Sequence, residues 1–513
     1  MIEENKSSMK NSVRRLIIAG IGVLIQIIWV VVLVMRLNQY SQIITLLTVA
    51  IELVLVLAVY SMDTNAAFKL PWIILITVAP IVGICVFFLF GRSGATKKVR
   101  ARYRKIDQQL FAYLNQDEQI IEELSKKDER PANDFKFLWN CASSHVYKNT
   151  DVKYYGDTCD AMAAQLEDMM QAKKFIFLEY HAIEMAESFQ ALRKVLMAKA
   201  REGVEIRILY DDAGCIGFLN PRFIKYMESM GIQCRVFNPI MPVLNIFMNN
   251  RDHRKITVID GKVAYTGGYN LADEYFNITH PYGQWKDSGI RFEGDAVQTA
   301  TILFLEMWNA LREQDVDIEK YLPVYPYKAK EQGFFALYGD SPLDKEPAGE
   351  NVYMNLLRHA KKYIYFTTPY LILSDEMTRE LTGAANRGVD VRIITPGIPD
   401  KKTIFQVTKS YYPQLLKHGV KIYEYTPGFC HAKQCICDGK IATVGTINLD
   451  YRSLYFHFEN GVYLYDVPAI KDIREDFEEV FAVSTEVGNN YHTARSPLKR
   501  LGQYFLRLFA PLL

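Results

Sequence analysis

Excess charge is the first thing this sequence lacks. Its 513 residues carry 60 Lys and Arg against 58 Asp and Glu, a formal net charge of +2. A chain so balanced has no electrostatic signature of a nucleic-acid binder, so nucleic acid is not an expected partner. A disulfide framework is missing too. The eight cysteines are scattered, which suits a reducing compartment. Only Cys430, Cys435 and Cys437 cluster. Cys435 and Cys437 share one face of a strand-like run, and no second pair completes a four-ligand zinc set, so buried strand thiols are expected. Nor is there a carboxylate-rich cluster suited to a divalent metal. No metal or other cofactor is expected.

What the first ninety residues have in excess is apolar length. Residues 16–35 run for twenty positions without a charge, enough to span a hydrocarbon core of about 30 Å. Residues 43–60 carry only Glu52, and residues 70–90 are again uncharged, with Trp72 near one end as an interfacial anchor. The first stretch is too long for a cleaved signal peptide and lacks its small-residue site. The expectation is an integral, multi-pass membrane protein with two to three transmembrane helices in residues 1–95 and a basic juxtamembrane linker over 96–140. Lys6, Lys10, Arg14 and Arg15 precede the first stretch, while Arg92, Lys97, Lys98, Arg100, Arg102, Arg104 and Lys105 follow the last. Both flanks ask for the cytoplasm, which needs an even number of spans, and Glu52 marks the second stretch as the irregular one. The denser second flank favours a cytoplasmic catalytic region.

From about residue 150 short β-branched runs alternate with polar, helix-like stretches, the pattern of α/β units. The pattern occurs twice. AKKFIFLEYHAI resembles AKKYIYFTTPYLI, REGVEIRILYDDAG resembles NRGVDVRIITPGIP, and SMGIQCRVFNP resembles KHGVKIYEYTP, in the same order and at a nearly constant offset. Two duplicated lobes are expected, over 141–325 and 326–490. The tail, 491–513, sets Leu498, Leu501, Phe505, Leu508 and Leu512 among Lys499, Arg500 and Arg507. It reads either as an interfacial helix or as one packed on the enzyme's own core.

The duplication delivers two copies of one cluster. NRDHRKITVIDGKVAYTGGYN holds His253, Lys255, Asp260 and Asn270; HAKQCICDGKIATVGTIN holds His431, Lys433, Asp438 and Asn448 at identical spacings. A single H-x-K-x4-D match would be weak, but two in register within a longer repeat are not an accident. Asp287 and Glu459 also occupy equivalent positions, each two residues before a glycine that opens an apolar strand. A carboxylate there could fix the tautomer of a catalytic imidazole. Converging lysines and amides make a cradle for a phosphoryl group. One neutral histidine can attack phosphorus while the other, protonated, serves the departing alcohol. The chemistry derived from these groups is phosphodiester exchange without a metal. Asp260 and Asp438 each precede a glycine between two strand-like runs, the signature of a tight hairpin, so a structural role competes with a catalytic one.

Paired H-x-K-x4-D elements followed by G-x-x-N resemble the phospholipase D superfamily over about residues 140–490. The two quoted strings, the segment KLPWIILITVAPIVG and the ending SPLKRLGQYFLRLFAPLL resemble bacterial cardiolipin synthases in particular. The resemblance implies an α/β fold of two phospholipase D-like α-β-α lobes behind N-terminal transmembrane helices, in the plasma membrane of a bacterium. It implies that two phosphatidylglycerol molecules become cardiolipin and glycerol through a phosphatidyl-histidine, with His253 as nucleophile and His431 as acid and base. Lys255, Lys433, Asn270 and Asn448, with Thr446 beside them, would hold the substrate phosphate, Asp260 and Asp438 complete the motifs, and Asp287 and Glu459 orient the histidines. One departure is visible: the family often has asparagine where this chain has His457. Two other readings stay open here, a phospholipid hydrolase of the same superfamily and an inactive lipid-binding scaffold.

Overall fold

Both halves of the chain fold their β-branched runs into mixed sheets with the same strand order. The first half supplies β1 (Thr150–Tyr155), β2 (Phe175–Tyr180), β3 (Glu205–Asp211), β4 (Gln233–Phe237) and β5 (Arg251–Asp252). It continues with β6 (Lys255–Ile259), β7 (Val263–Gly267), β8 (Gln284–Lys286) and β9 (Gly289–Gly294). The second half supplies β10 (Phe334–Asp340), β11 (Tyr363–Thr367), β12 (Asp390–Pro396), β13 (Lys421–Tyr425) and β14 (Gly428–Cys430). After these come β15 (Gln434–Cys437), β16 (Ile441–Gly445), β17 (His457–Tyr465) and β18 (Ser484–Glu486). The first sheet is ordered β1-β9-β7-β6-β2-β3-β4, and the second β10-β17-β16-β15-β11-β12-β13, with β18 added at the edge. The computed structural model describes residues 42–88, 97–220, 222–240, 249–312, 315, 317–344, 346–488, 491 and 496–512, with isolated positions between 21 and 35.

The central strands are buried along their whole length, β2 and β6 in the first lobe and β15 and β16 in the second. That is why they read as unbroken apolar runs rather than alternating ones: both faces of each sheet are covered. Each lobe has an outer core of its own. The inner faces of the two sheets share a third, in which Val258 and Phe292 of one lobe join Val444 and Leu464 of the other. The helix Val297–Leu311 lies in this shared core, with thirteen of its fifteen residues buried, so the two lobes are halves of one packed unit. The cluster cysteines Cys430, Cys435 and Cys437 are all buried.

The N-terminal helices differ from the expectation. Helix α1 (Gln42–Tyr60) is followed by α2 (Ala66–Val78) and α3 (Pro80–Val86). The uncharged stretch 70–90 is therefore not one span: it breaks at Ala79–Pro80 and doubles back, because proline cannot continue the α2 hydrogen-bond ladder. Gly83 permits the close return, since a Cβ there would stand 2.6 Å from the Ile76 Cα. Val59, Ile76 and Phe87 make a small core among the three helices. Among the described residues no helix is long and apolar enough to cross a membrane, which does not support the multi-pass expectation. The first apolar stretch, 16–35, lies outside the described residues apart from isolated positions. The expected linker 96–140 is folded. In α4 (Lys97–Leu110) Tyr103, Ile106 and Leu110, at helical spacing, enter the shared core. Arg102 turns to the carbonyls of Asn309 and Arg312 at the end of the neighbouring helix, a favourable place for a cation.

Phe68 of α2 sits edge-on against Tyr451, Tyr455 and Phe456 of the second lobe, at 5.2–5.3 Å between ring centres. The C-terminal helix Pro497–Leu508 packs one face on the helix Lys402–Lys417, with Gln503 bonded to Gln406 and Arg507 over the Tyr411 ring. Its other face, Leu498, Leu501 and Phe505, stays exposed. The tail thus packs on the protein's own core through one face.

Candidate active site

Two short strands cross between the lobes and set the site. Strand β5, just before His253, pairs with the start of β17 in the second lobe, and the His253 N–H donates to Phe458 O at 2.9 Å. Strand β14, just before His431, pairs with β8 of the first lobe, and the His431 N–H donates to Lys286 O at 2.7 Å. The residue after each accepting carbonyl is a carboxylate. His253 Nδ1 lies 2.9 Å from Glu459 Oε2, and His431 Nδ1 lies 2.6 Å from Asp287 Oδ2. Both carboxylates are fully buried. Each imidazole is therefore fixed at its backbone and at Nδ1 by the opposite lobe, which leaves Nε2 as the unclaimed nitrogen.

The supporting groups differ between the lobes. Thr446, expected on the substrate phosphate, donates its hydroxyl to Glu459 Oε2 and bonds the Asn460 carbonyl. It braces a carboxylate instead. The equivalent position in the first lobe is Gly268, where a Cβ would stand 2.0 Å from Asp287 Oδ1, so the shorter aspartate leaves no room for a side chain. Arg254, the middle residue of the first motif, is buried and bonds Glu306 Oε2 at 2.9 Å, the Leu303 carbonyl and, at 3.3 Å, the Glu459 carbonyl. It ties the central helix to the strand carrying the carboxylate.

Lys255 Nζ turns back to His253 O at 2.6 Å, and Lys433 Nζ makes the same contact to His431 O. Burial pushes the Lys255 amine down to about 7 and the Lys433 amine down to about 8, and the charges of Glu459 and Asp287 pull both partly back up. Burial likewise holds His253 well below the usual imidazole range, reinforced by Lys255, His181, Lys433 and His431. His431 falls to about 4, chiefly by burial and Lys433, against the upward pull of Asp287. Burial would raise Asp287, but the His431 imidazole and Lys433 outweigh it and the carboxyl ends below its usual range. Each motif copy thus acts electrostatically on the histidine of the other.

Asp260 and Asp438 do not join it. Asp260 accepts from the N–H groups of Lys173, Lys174 and Phe175, and Asp438 from those of Lys361, Lys362 and Tyr363. Each takes a positive φ, 55° and 52°, before a glycine at 66° and 68°, the two-residue hairpin turn that Asp-Gly favours. They pin the far ends of β6 and β15, away from the imidazoles, so the catalytic reading of the motif aspartates is corrected. Asn270 is also committed: its Oδ1 accepts from Ala182 N–H and its Nδ2 donates to Tyr275 OH at 2.8 Å. The buried Asn448 Oδ1 has no hydrogen-bond partner among the described residues.

Two further histidines flank His253. The His181 ring lies 4.9 Å away, edge-on, with Nδ1 donating to Asp252 O at 2.7 Å, and the His457 ring lies 5.5 Å away. His431 has aromatic neighbours instead, Tyr275 and Trp285 at 5.2 Å. His181 falls within the repeat AKKFIFLEYHAI, opposite a threonine-proline pair in the second copy, so the repeat itself hides it.

The family model described as "Cardiolipin synthase, PLD-like domain" matches residues 166–308 and 353–481. The chain belongs to this family. A protein of Streptococcus mutans named only as uncharacterized is 40% identical over 460 residues, covering 90% of this chain and 99% of its own length. Cardiolipin synthase 2 of Bacillus cereus is 31% identical over 445 residues, 86% of each chain. In fold, the chain is similar to the phosphatidylserine synthase of Haemophilus influenzae, with a TM-score of 0.53 at 13% identity over 71% of this chain and 95% of that one. The two family-model matches fall one in each lobe and between them contain both imidazoles, both lysines and the crossing carboxylates.

Proposed function

We propose that the protein is a cardiolipin synthase that transfers a phosphatidyl group between two phosphatidylglycerol molecules. The observation that carries this reading is the crosswise pair His253–Glu459 and His431–Asp287, which makes one phosphoryl-transfer site from two motif copies. The relatives with named activity supply the substrate class.

His253 is the nucleophile in this account. Its Nδ1–H donates to Glu459, so the Nε2 lone pair attacks phosphorus and the bond to the leaving glycerol oxygen breaks. His431, protonated, gives its proton to that oxygen. Asp287 pulls His431 toward the protonated form, and the negative phosphodiester arriving between the lysines pulls the same way. The product of this half is glycerol and a phosphatidyl-His253. In the second half His431 takes the proton from a hydroxyl of the second phosphatidylglycerol, the new oxygen–phosphorus bond forms and the phosphorus–nitrogen bond breaks, releasing cardiolipin. Lys255 and Lys433, with the Asn448 amide, neutralise and orient the phosphate oxygens. Asn270 is assigned to holding the loop, since both ends of its amide are occupied.

Lipid access is supported by surface chemistry. Leu46, Leu53, Val54 and Leu57 of α1, with Leu70 and Val78 of α2, are exposed, as are Leu498, Leu501 and Phe505 of the tail helix. Exposed apolar side chains in such number fit a bilayer surface. A cavity of about 600 Å³ opens between α2 and the second lobe, lined among others by Phe68, Trp72, Arg452 and Phe456, next in sequence to His457. Attachment through the doubled-back helices is the membrane arrangement proposed for the described residues.

The test is to incubate the full-length protein with phosphatidylglycerol vesicles in a chelating buffer and separate the products. Cardiolipin and glycerol in equal amounts are expected. Phosphatidic acid as the main product would replace the transferase with a hydrolase.

A further inference from the structure

The fully buried Glu459 lies between two imidazoles, close to His253 and at longer range to His457. Its Oε2 accepts from His253 and Thr446, while Oε1 has no hydrogen bond among the described residues. His457 Nδ1 stands 3.5 Å from that oxygen, a long ion-pair contact, and His457 Nε2 has no hydrogen bond among the described residues. Polar atoms left unpaired in a buried place cost stability, so such a group in a folded protein asks for a partner. One donor atom from each of His253, His457 and Glu459 lies within 4.8 Å of the others.

We propose that His253, His457 and Glu459 form a binding site for a zinc-class divalent transition-metal ion, and that the bound ion inhibits the enzyme. Two imidazoles and a carboxylate are a zinc-type donor set, which leaves a fourth position for water. Donors to one such ion sit about 2.1 Å from it and so, in a tetrahedral set, about 3.4 Å from each other. From separations of up to 4.8 Å the trio closes onto an ion with side-chain shifts of about an ångström, within reach of rotamer adjustment. The ammonium groups of Lys255 and Lys433 bond the carbonyls of their own histidines and not these three side chains.

Inhibition follows from which atoms are taken. An ion on His253 Nε2 removes the lone pair that attacks phosphorus. An ion on Nδ1 displaces that proton to solvent and breaks the contact with Glu459. His457 has no part in the transfer reaction as derived above, so it supplies the affinity without supplying chemistry. The inhibitory half of the proposal rests on the functional reading; the binding half does not.

The experiment uses the purified full-length protein and the metal alone. Co2+ is titrated by visible absorption and displaced by Zn2+, and phosphatidylglycerol turnover is followed against free Zn2+ in wild type and in His457→Asn, the residue the family often carries there. One ion per chain is expected, with inhibition reversed by a chelator. The variant should keep its metal-free rate and need at least about tenfold more Zn2+ for half-inhibition, as expected for loss of one of three ligands. Failure of the wild-type protein to take up Co2+, or equal Zn2+ sensitivity in the two proteins, would overturn the site. Should His457→Asn not fold, the wild-type Co2+ titration and its loss in His457→Gln decide the matter. A protein that binds Co2+ yet shows no turnover without metal would undo the functional reading and leave the site standing.

Discussion

Glu459, from the second lobe, accepts the Nδ1 hydrogen of His253, from the first, at 2.9 Å. Asp287 and His431 repeat the arrangement in the other direction at 2.6 Å. Neither lobe therefore holds a complete site. Replacing the carboxylate with an amide keeps the shape but lets the imidazole adopt the wrong tautomer. Glu459→Gln and Asp287→Asn are each expected to lower turnover by about 10²- to 10⁴-fold with an unchanged circular dichroism spectrum. A loss below tenfold in either would remove that carboxylate from the account.

The buried lysines should separate activity from stability. Lys433 is fully buried and its amine is pushed down by that burial, so its charge costs folding energy rather than supplying it. Lys433→Met is expected to lower kcat by about 10²- to 10³-fold, the usual loss of one charge-stabilising donor, while its thermal midpoint holds or rises. A midpoint lowered by several degrees would show that the lysine is structural.

The same amines set a pH dependence. As pH rises through the values of about 7 for Lys255 and about 8 for Lys433, the empty site loses the charge that receives the phosphate, and kcat/KM should fall between pH 7 and 9. Stability moves the other way. Unfolded lysines keep their protons to about 10.4, so in this window the unfolded state binds more protons and the unfolding free energy contributed by these groups rises with pH. Denaturant unfolding of wild type and Lys433→Met at pH 7 and 9.5 measures the lysine's share as the difference. A flat kcat/KM profile over pH 7–9 would contradict the assignment.

Asp260 and Asp438 should behave as turn residues. Each accepts three backbone N–H groups, and charge-assisted bonds of this kind contribute about 1.5–3 kcal/mol each before the losses that accompany burial. Asp438→Ala is expected to destabilise by about 2–4 kcal/mol in denaturant, with kcat of the folded enzyme within a few-fold of wild type. A folded variant without turnover would return the aspartate to the chemistry.

Much of this was legible in the sequence because the repeat carried it. The duplicated strings foretold the two sheets and the carboxylates at 287 and 459 beside the imidazoles, since a repeat with fixed spacing folds the same way twice. The crossing of the lobes was not legible: β5 and β14 are two and three residues long, and no local pattern says that each pairs with the other half. The hydrogen bonds of Thr446 to Glu459 and of Asn270 to Ala182 and Tyr275 were not legible, because a polar residue near a site looks the same in sequence whether it faces substrate or a neighbouring protein group. The break at Ala79–Pro80 was written in the sequence as proline, but apolar length outweighed it. His457 drew notice only as a departure from the family, and its place beside Glu459 needed the fold.

A single phosphoryl site shared by both lobes is tested most directly by the turnover of His253→Ala, His431→Ala and the double variant on phosphatidylglycerol vesicles. One shared site predicts that each single variant falls to the level of the double. Two independent sites predict that each single variant keeps about half of the wild-type rate, and that result would contradict the account.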